Sequence, residues 1–208
     1  MNSIYRPIKR CFHSISLDDA GLALVRQRLA KEIRSPRFTY SSTAGDAAVL
    51  LLLCTTNGVP GILFEERRRD LSSHGGEVCF AGGKADPSDR SLVHTALRET
   101  FEELGLRSVN VLGCLPPVPN RSASLRVHPV VGSVGELDLG ALVLNRDEVH
   151  RAFVLPLTHF ACEENKSVGV FRDTGVALPT YATDKRGLRI WGLTAYILHE
   201  FLRRVERM

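Results

Sequence analysis

The chain has 208 residues, 44% of them hydrophobic and 24% charged, with a formal net charge of +4 and five cysteines. Those figures describe an ordinary soluble globular protein of one domain with extensions, large enough to bury a core without disulfide or metal staples. They exclude a membrane helix, since no apolar run approaches the ~20 residues one needs. The Lys and Arg residues are spread rather than massed, which argues against long nucleic acid as a partner and suits small anionic molecules. Five cysteines without a Cys-x-x-Cys pair point to a reducing compartment and no zinc site.

Residues 1–17 carry Arg6, Lys9, Arg10 and His13 and no acid, and Ile4, Ile8, Cys11 and Ile15 share the opposite helical face. This is the composition of a mitochondrial transit peptide, with a short basic tail of no address as the alternative. Leu17-Asp18-Asp19 opens a helix expected to reach about Ile33, and residues 35–45 form a polar linker. The chain therefore divides into an N-terminal extension, 1–44, and a main domain, 45–208. Ala47–Cys54 and Ile62–Glu66 read as strands, and the continuous apolar run from Val49 to Cys54 is that of a buried one. Asn57-Gly58 between them predicts a tight hairpin. Arg67-Arg68-Arg69 then forms either an anion grip, because guanidinium forks match phosphate geometry, or a solvated face.

The sequence from Gly82-Gly83-Lys84 through Asp86-Pro87-Ser88-Asp89 leads into a helix expected from about Ser88 to Leu104. Val93, Ala96, Leu97, Thr100 and Leu104 recur at the spacing of one helical face. Asp89 or Ser88 can cap its start, and Gly105 sits where a left-handed C-terminal cap is wanted. The charge is odd for a helix built only to be stable. Glu102 and Glu103 fall in the last turn, where the helix dipole disfavours acids by roughly 0.3–1 kcal/mol each, and Glu99 and Glu103 form a like-charge pair four apart. Glu99 and Glu103 lie about 40° apart on the helix, with Glu102 further towards solvent. Two carboxylates on one face and a third within reach make half of a Mg²⁺ site, to which substrate phosphate oxygens and waters would add. A solvated acidic helix end is the other reading.

Beyond the helix, Val109–Leu115 and Val127–Val134 read as strands joined by a Pro-rich loop, and Ala152–Leu157 as another after Asn145-Arg146-Asp147-Glu148-Val149. Ser167–Pro179 reads as a hairpin with Gly175 near its turn. A final helix is expected to begin in Arg189-Ile190-Trp191-Gly192 and run to about Arg204, packing through Leu193, Tyr196, Ile197 and Phe201.

The Gly-Gly pair, the loop, and then Arg98-Glu99-x-x-Glu102-Glu103-x-Gly105 resemble the Nudix box, the signature of hydrolases that cut diphosphates linked to another group. Five residues lead from Gly83 to Asp89, where the family has Glu, and eight rather than seven then lead to Arg98. Thr100 replaces the usual aliphatic residue. Leu71 to Gly83 resembles the second signature of the coenzyme A pyrophosphatase subgroup, in which the longer loop, the Gly-Gly-Lys-x-Asp-Pro wording and the Trp191-Gly192-Leu193-Thr194-Ala195 segment are also familiar. Ala81 stands where that subgroup has Pro.

The resemblance spans roughly residues 45–200 and implies a Nudix-type α/β/α sandwich with a mixed sheet. It implies an enzyme that uses Mg²⁺ or Mn²⁺ to split coenzyme A or acyl-CoA into 3′,5′-ADP and (acyl-)4′-phosphopantetheine. The implied metal ligands are Glu99 and Glu103, with Glu102 as a further ligand or the base that deprotonates water, and Glu148 from outside the helix. Arg98 completes the catalytic group, fixing a loop acid such as Asp89. Arg67, Arg68, Gly82, Gly83 and Lys84 are the substrate-binding candidates. A Nudix enzyme for ADP-ribose or NADH, and a silent Nudix-fold module for nucleotide or RNA, are the alternatives. The expected partner is the small-molecule substrate, with no nucleic acid and no membrane, in a monomer or homodimer.

Overall fold

A computed structural model describes residues 16–31, 38–171, 176–183 and 187–205. The basic segment 1–15 and the expected hairpin turn at Gly175 lie outside the described residues. In chain order the elements are α1 (Asp19–Ala30), β1 (Gly45–Thr56), β2 (Val59–Arg67), β3 (Val78–Cys79), β4 (Gly82–Lys84), α2 (Leu92–Leu104), β5 (Asn110–Cys114), β6 (Val118–Pro119), β7 (Leu125–Glu136), β8 (Val149–Pro156), β9 (Lys166–Phe171), β10 (Val176–Ala182), β11 (Arg189–Ile190) and α3 (Gly192–Val205).

β1 is the axis of the main sheet. It pairs antiparallel with β2 and β4 and parallel with β7, and β5, β6 and β8 extend the sheet from those neighbours, so the sheet is mixed. A strand flanked on both edges and covered on both faces must be apolar throughout, which is why residues 50–54 are continuously hydrophobic and buried. Ala48, Leu50, Leu52 and Cys54 face the α2 layer with Ala96 and Leu104. Ala47, Leu51 and Leu53 face the other layer, shared with Val25 and Leu29 of α1 and Ile197 and Phe201 of α3. The result is the expected α/β/α sandwich. At the β1–β2 turn, Asn57 (φ 52°) and Gly58 (φ 76°) both adopt the left-handed conformation that a two-residue hairpin turn requires. β9, β10 and β11 form a second antiparallel sheet against which α3 packs.

Three helix boundaries differ from expectation, each for a reason visible in the contacts around it. α1 stops at Ala30, where Lys31 turns extended, and the buried Arg204 guanidinium donates to the carbonyls of Leu29 (3.4 Å) and Lys31 (3.1 Å). Arg26 Nη1 donates to Val111 O on β5 (3.0 Å), so α1 is fastened to both α3 and the sheet. α3 begins at Gly192, because Arg189 and Ile190 pair with Ala182 and Tyr181 as a strand. α2 begins at Leu92 rather than Ser88. The segment Asp86–Asp89 is a turn of its own: Ser88 N (2.8 Å) and Oγ (2.6 Å) both donate to Asp86 Oδ1, and Asp86 N donates to Asp89 Oδ2 (2.9 Å). The cap is Ser91, whose Oγ accepts from His94 N (3.1 Å). Gly105 closes the helix as expected, at φ 75°.

Ser91→Ala is therefore expected to destabilise the protein by about 1 kcal/mol in denaturant unfolding, while Ser88→Ala stays within about 0.5 kcal/mol. Equal losses from the two substitutions would contradict this placement of the cap.

Candidate active site

The site forms where the short strand β4 lies against β1, with Val49 opposite Gly82 and Ala48 opposite Gly83, and the C-terminal half of α2 rests above it. Both glycines are needed there. Gly82 sits at φ +155°, and a β-carbon on it would lie 2.6 Å from Val49 Cα and press on the Ala48 carbonyl. A β-carbon on Gly83 would overlap the Glu99 carboxylate. With no side chain between them, the helix acids reach the strand backbone, and Gly82 N–H donates to Glu103 Oε2 (2.8 Å).

The last turn of α2 also recruits the segment before β8. Helix ends leave carbonyls without partners. Here Glu103 O accepts from Asn145 N (2.9 Å) and Leu104 O from Val143 N (3.1 Å). Asn145 O in turn accepts from Glu148 N and Val149 N. This docking brings Glu148 beside Glu103. Arg67, at the end of β2, lies between the two: Nη1 is 3.8 Å from Glu103 Oε1 and Nη2 is 4.0 Å from Glu148 Oε2.

Arg98 forks onto the buried Asp89 carboxylate, with Nε and Nη2 each 3.0 Å from an oxygen. Its Nη1 lies 3.0 Å from both Glu99 Oε1 and Glu102 Oε2, and Nη2 donates to Lys84 O (3.2 Å). One guanidinium thus locks the loop, β4 and two helix acids together. The fork holds Asp89 far below the usual carboxylate range, helped by the backbone N–H and His94 bonds it accepts.

The inner carboxylates are pushed the other way. Burial raises Glu103 well above the ordinary carboxylate range, the charge of Glu65 adds to this, and the Gly82 N–H opposes it. Burial likewise raises Glu65, against the Cys79 thiol and Arg67, with Glu148 and Glu99 raising it further. Glu99 is raised by burial and opposed by Arg98. Glu102 is half exposed.

The site residues named from the sequence fall into two groups. Glu99, Glu103, Glu102, Glu148, Arg98, Arg67, Gly82 and Gly83 converge, with Lys84 exposed at the rim. Arg68 does not join them. Its guanidinium turns away to ion-pair with Asp70 and donates to Arg146 O (2.9 Å).

Glu65 was missed. It is wholly buried on β2, Oε1 accepts from the Cys79 thiol (3.3 Å), and among the described residues Oε2 has no hydrogen-bond partner. A buried, unpartnered carboxylate oxygen costs about 1–3 kcal/mol or more. The available signal was an acid continuing the apolar run Ile62-Leu63-Phe64 into the strand's buried end.

The donor set fits a hard divalent cation: carboxylate oxygens, those of Glu65 and Glu103 buried and raised in proton affinity by that burial and by neighbouring acids, with Glu65 Oε2 lacking a hydrogen-bond partner among the described residues. Among the described residues no three His, Cys, Asp or Glu side chains are already drawn in around one point. Arg67 and Arg98 place guanidinium charge among these acids, Arg67 near Glu103 and Glu148 and Arg98 against Glu99 and Glu102.

The NUDIX domain family matches residues 45–171. The protein named mitochondrial coenzyme A diphosphatase NUDT8 of Mus musculus is 42% identical over 187 residues, covering 87% of this chain and 88% of its own. Its namesake in Homo sapiens is 41% identical over 181 residues, covering 80% and 74%. Nudix hydrolase 3 of Caenorhabditis elegans is 34% identical over 186 residues, covering 81% and 77%. With the family's domain matched over more than half its length and the helix acids gathered on the glycine pair, this chain belongs to the Nudix family.

Proposed function

We propose that this protein is a metal-dependent diphosphate hydrolase that splits coenzyme A or acyl-CoA into 3′,5′-ADP and (acyl-)4′-phosphopantetheine. The observation that carries the reaction class is the seating of Glu99 and Glu103 on Gly82-Gly83, where backbone and carboxylates face one another without intervening side chains. The substrate rests on the Leu71–Gly83 signature and on the names of relatives that are 41–42% identical over most of the chain.

Glu99, Glu103, Glu102 and Glu148 would hold Mg²⁺ or Mn²⁺. Such an ion, when bound, neutralises charge on phosphoryl oxygens and acidifies a water. The water oxygen bonds to one phosphorus, the bond from that phosphorus to the bridging oxygen breaks, and the bridge leaves with the other phosphate. A carboxylate takes the proton the water loses. Glu102, half exposed and held by Arg98, is the residue to which we assign this role, with Arg98 as a positioning residue. Arg67 balances the acids while no cation does. The relatives' names and the acid-free start at 1–17 together support a mitochondrial address.

Glu99→Gln and Glu103→Gln are each expected to keep the fold and lower kcat on coenzyme A by at least about 100-fold, the scale of losing a key electrostatic stabiliser. The assay uses coenzyme A, acyl-CoA, ADP-ribose and NADH with Mg²⁺ or Mn²⁺. Near-parental turnover in both variants would remove the site assignment, and a preference for ADP-ribose or NADH would remove the substrate.

A pH dependence follows from the buried acids. The folded-state values of Glu103 and Glu65 lie above those of an unfolded chain, so the folded metal-free protein binds more protons. That contribution is complete below the ordinary carboxylate range near pH 4 and is lost as pH rises through the raised values. The metal-free parent should lose melting temperature above about pH 5 more steeply than Glu103→Gln. Parallel curves would contradict the buried charge. For the address, residues 1–35 fused to a fluorescent reporter should direct it to mitochondria, and a diffuse cytosolic signal would count against import.

A further inference from the structure

Beside the carboxylate cluster lies a cavity of about 400 Å³ lined by Arg68, Arg69, Asp70, Arg146, Val149 and His150. It owes its shape to an irregularity in the β2–β8 ladder. Glu66 pairs with Arg151 and Arg67 with Val149, so His150 has no opposite number and the strand bulges there. Bulges re-aim side chains and concentrate beside active sites. The cavity and the carboxylate cluster share walls. Arg67 faces the cluster and Arg68 the cavity, Glu148 faces the cluster and Val149 the cavity, and Arg68 N–H donates to Glu148 O (2.9 Å) across the join.

The chemistry of the cavity is that of an anion site. Three arginines line it, Arg68 paired with Asp70 and Arg69 lying 3.5 Å from Glu66 Oε1, so cations outnumber the acids that meet them by one. Arg146 is held by donation to His150 O (3.2 Å). Arg68 is held by donation to Arg146 O and forks onto Asp70, its Nε 2.8 Å from Oδ1. A carboxylate presents two oxygens to an arginine fork as a phosphate does. On the Arg68 fork, Asp70 therefore supplies the pair of oxygens that a phosphate would supply.

We propose that this cavity is a phosphomonoester subsite, which receives the 3′-phosphate of the substrate's nucleotide half in exchange for Asp70. The inference rests on the coenzyme A reading above for the identity of the substrate. It orients that substrate: with the diphosphate at Glu99 and Glu103, the nucleotide end lies towards the β2–β8 bulge. The pantetheine end, which has no charge to offer three arginines, points elsewhere.

The test is equilibrium binding, which needs no turnover. The full chain is titrated with adenosine 3′,5′-bisphosphate, with AMP, and with inorganic phosphate. The parent should bind the bisphosphate at least about 10-fold more tightly than AMP, the scale of one charge-assisted hydrogen-bonded pair. Arg68→Ala and Arg146→Ala should each bring that ratio close to one while leaving AMP binding unchanged. Asp70→Asn should strengthen bisphosphate binding and leave AMP alone, and this exposed substitution keeps the test decisive if an Arg variant fails to fold. A parental ratio near one would overturn the proposal, as would a ratio that survives in both Arg variants. Inorganic phosphate displacing the bisphosphate at equal concentration would also overturn it, marking a free-phosphate site. If the ratio behaves as expected but coenzyme A is not hydrolysed, the subsite stands and the assigned substrate falls.

Discussion

The burial of one carboxylate sets the terms for the rest of the molecule. Glu103 is 2% exposed at the end of a helix, where the dipole already disfavours negative charge. What makes its place tolerable is the backbone N–H of Gly82, the Arg67 guanidinium nearby, and a raised proton affinity. Each of those has its own requirement. Gly82 must be glycine to lie so close to Ala48 and Val49, so β4 can pair with β1 only in that form. Arg67 must end β2 at the sheet's rim, and the 143–148 segment must fold back to satisfy the helix carbonyls, which delivers Glu148. Sheet order, glycine pair and loop docking all serve one small region of opposed charge.

That region is poor engineering for stability alone. Burial and the charges of Glu99 and Glu148 raise the proton affinity of Glu65 and Glu103, and among the described residues one Glu65 oxygen has no hydrogen-bond partner. An apolar residue at Glu65 would suit its neighbours Leu63 and Phe64 better. Strain of this kind gathers where a ligand relieves it. Two arginines moderate it in different ways. Arg98 is a fixed tie between Asp89, Lys84 and the helix, whereas Arg67 is a looser counter-charge at 3.8 and 4.0 Å.

Much of this was legible in the sequence, and the limits have physical causes. The Asn57-Gly58 turn, the buried β1 and the shared face of Glu99 and Glu103 follow from backbone sterics and helical period, so local pattern fixes them. The start of α2 was misplaced because Ser88, Asp89 and Ser91 are all good caps. Only the Asp86-centred turn and the pull of Arg98 on Asp89 decide among them, and both are three-dimensional. α3 was begun early because the pairing of Arg189 and Ile190 with β10 is a long-range contact. Arg67 and Arg68 looked equivalent in a run of three, and the β2–β8 bulge sends them to different sites. Glu65 gave no periodic signal, since an acid at a strand's end usually marks the surface.

If the acids around Glu103 hold a divalent cation, the protein binds that ion in the absence of substrate. Titrating the protein with Mn²⁺ and following the free ion by electron paramagnetic resonance tests this without substrate. The parent should bind at least one Mn²⁺, with affinity weakened at least about 10-fold by Glu103→Gln and by Glu99→Gln. Equal Mn²⁺ affinity in the parent and both variants would contradict it.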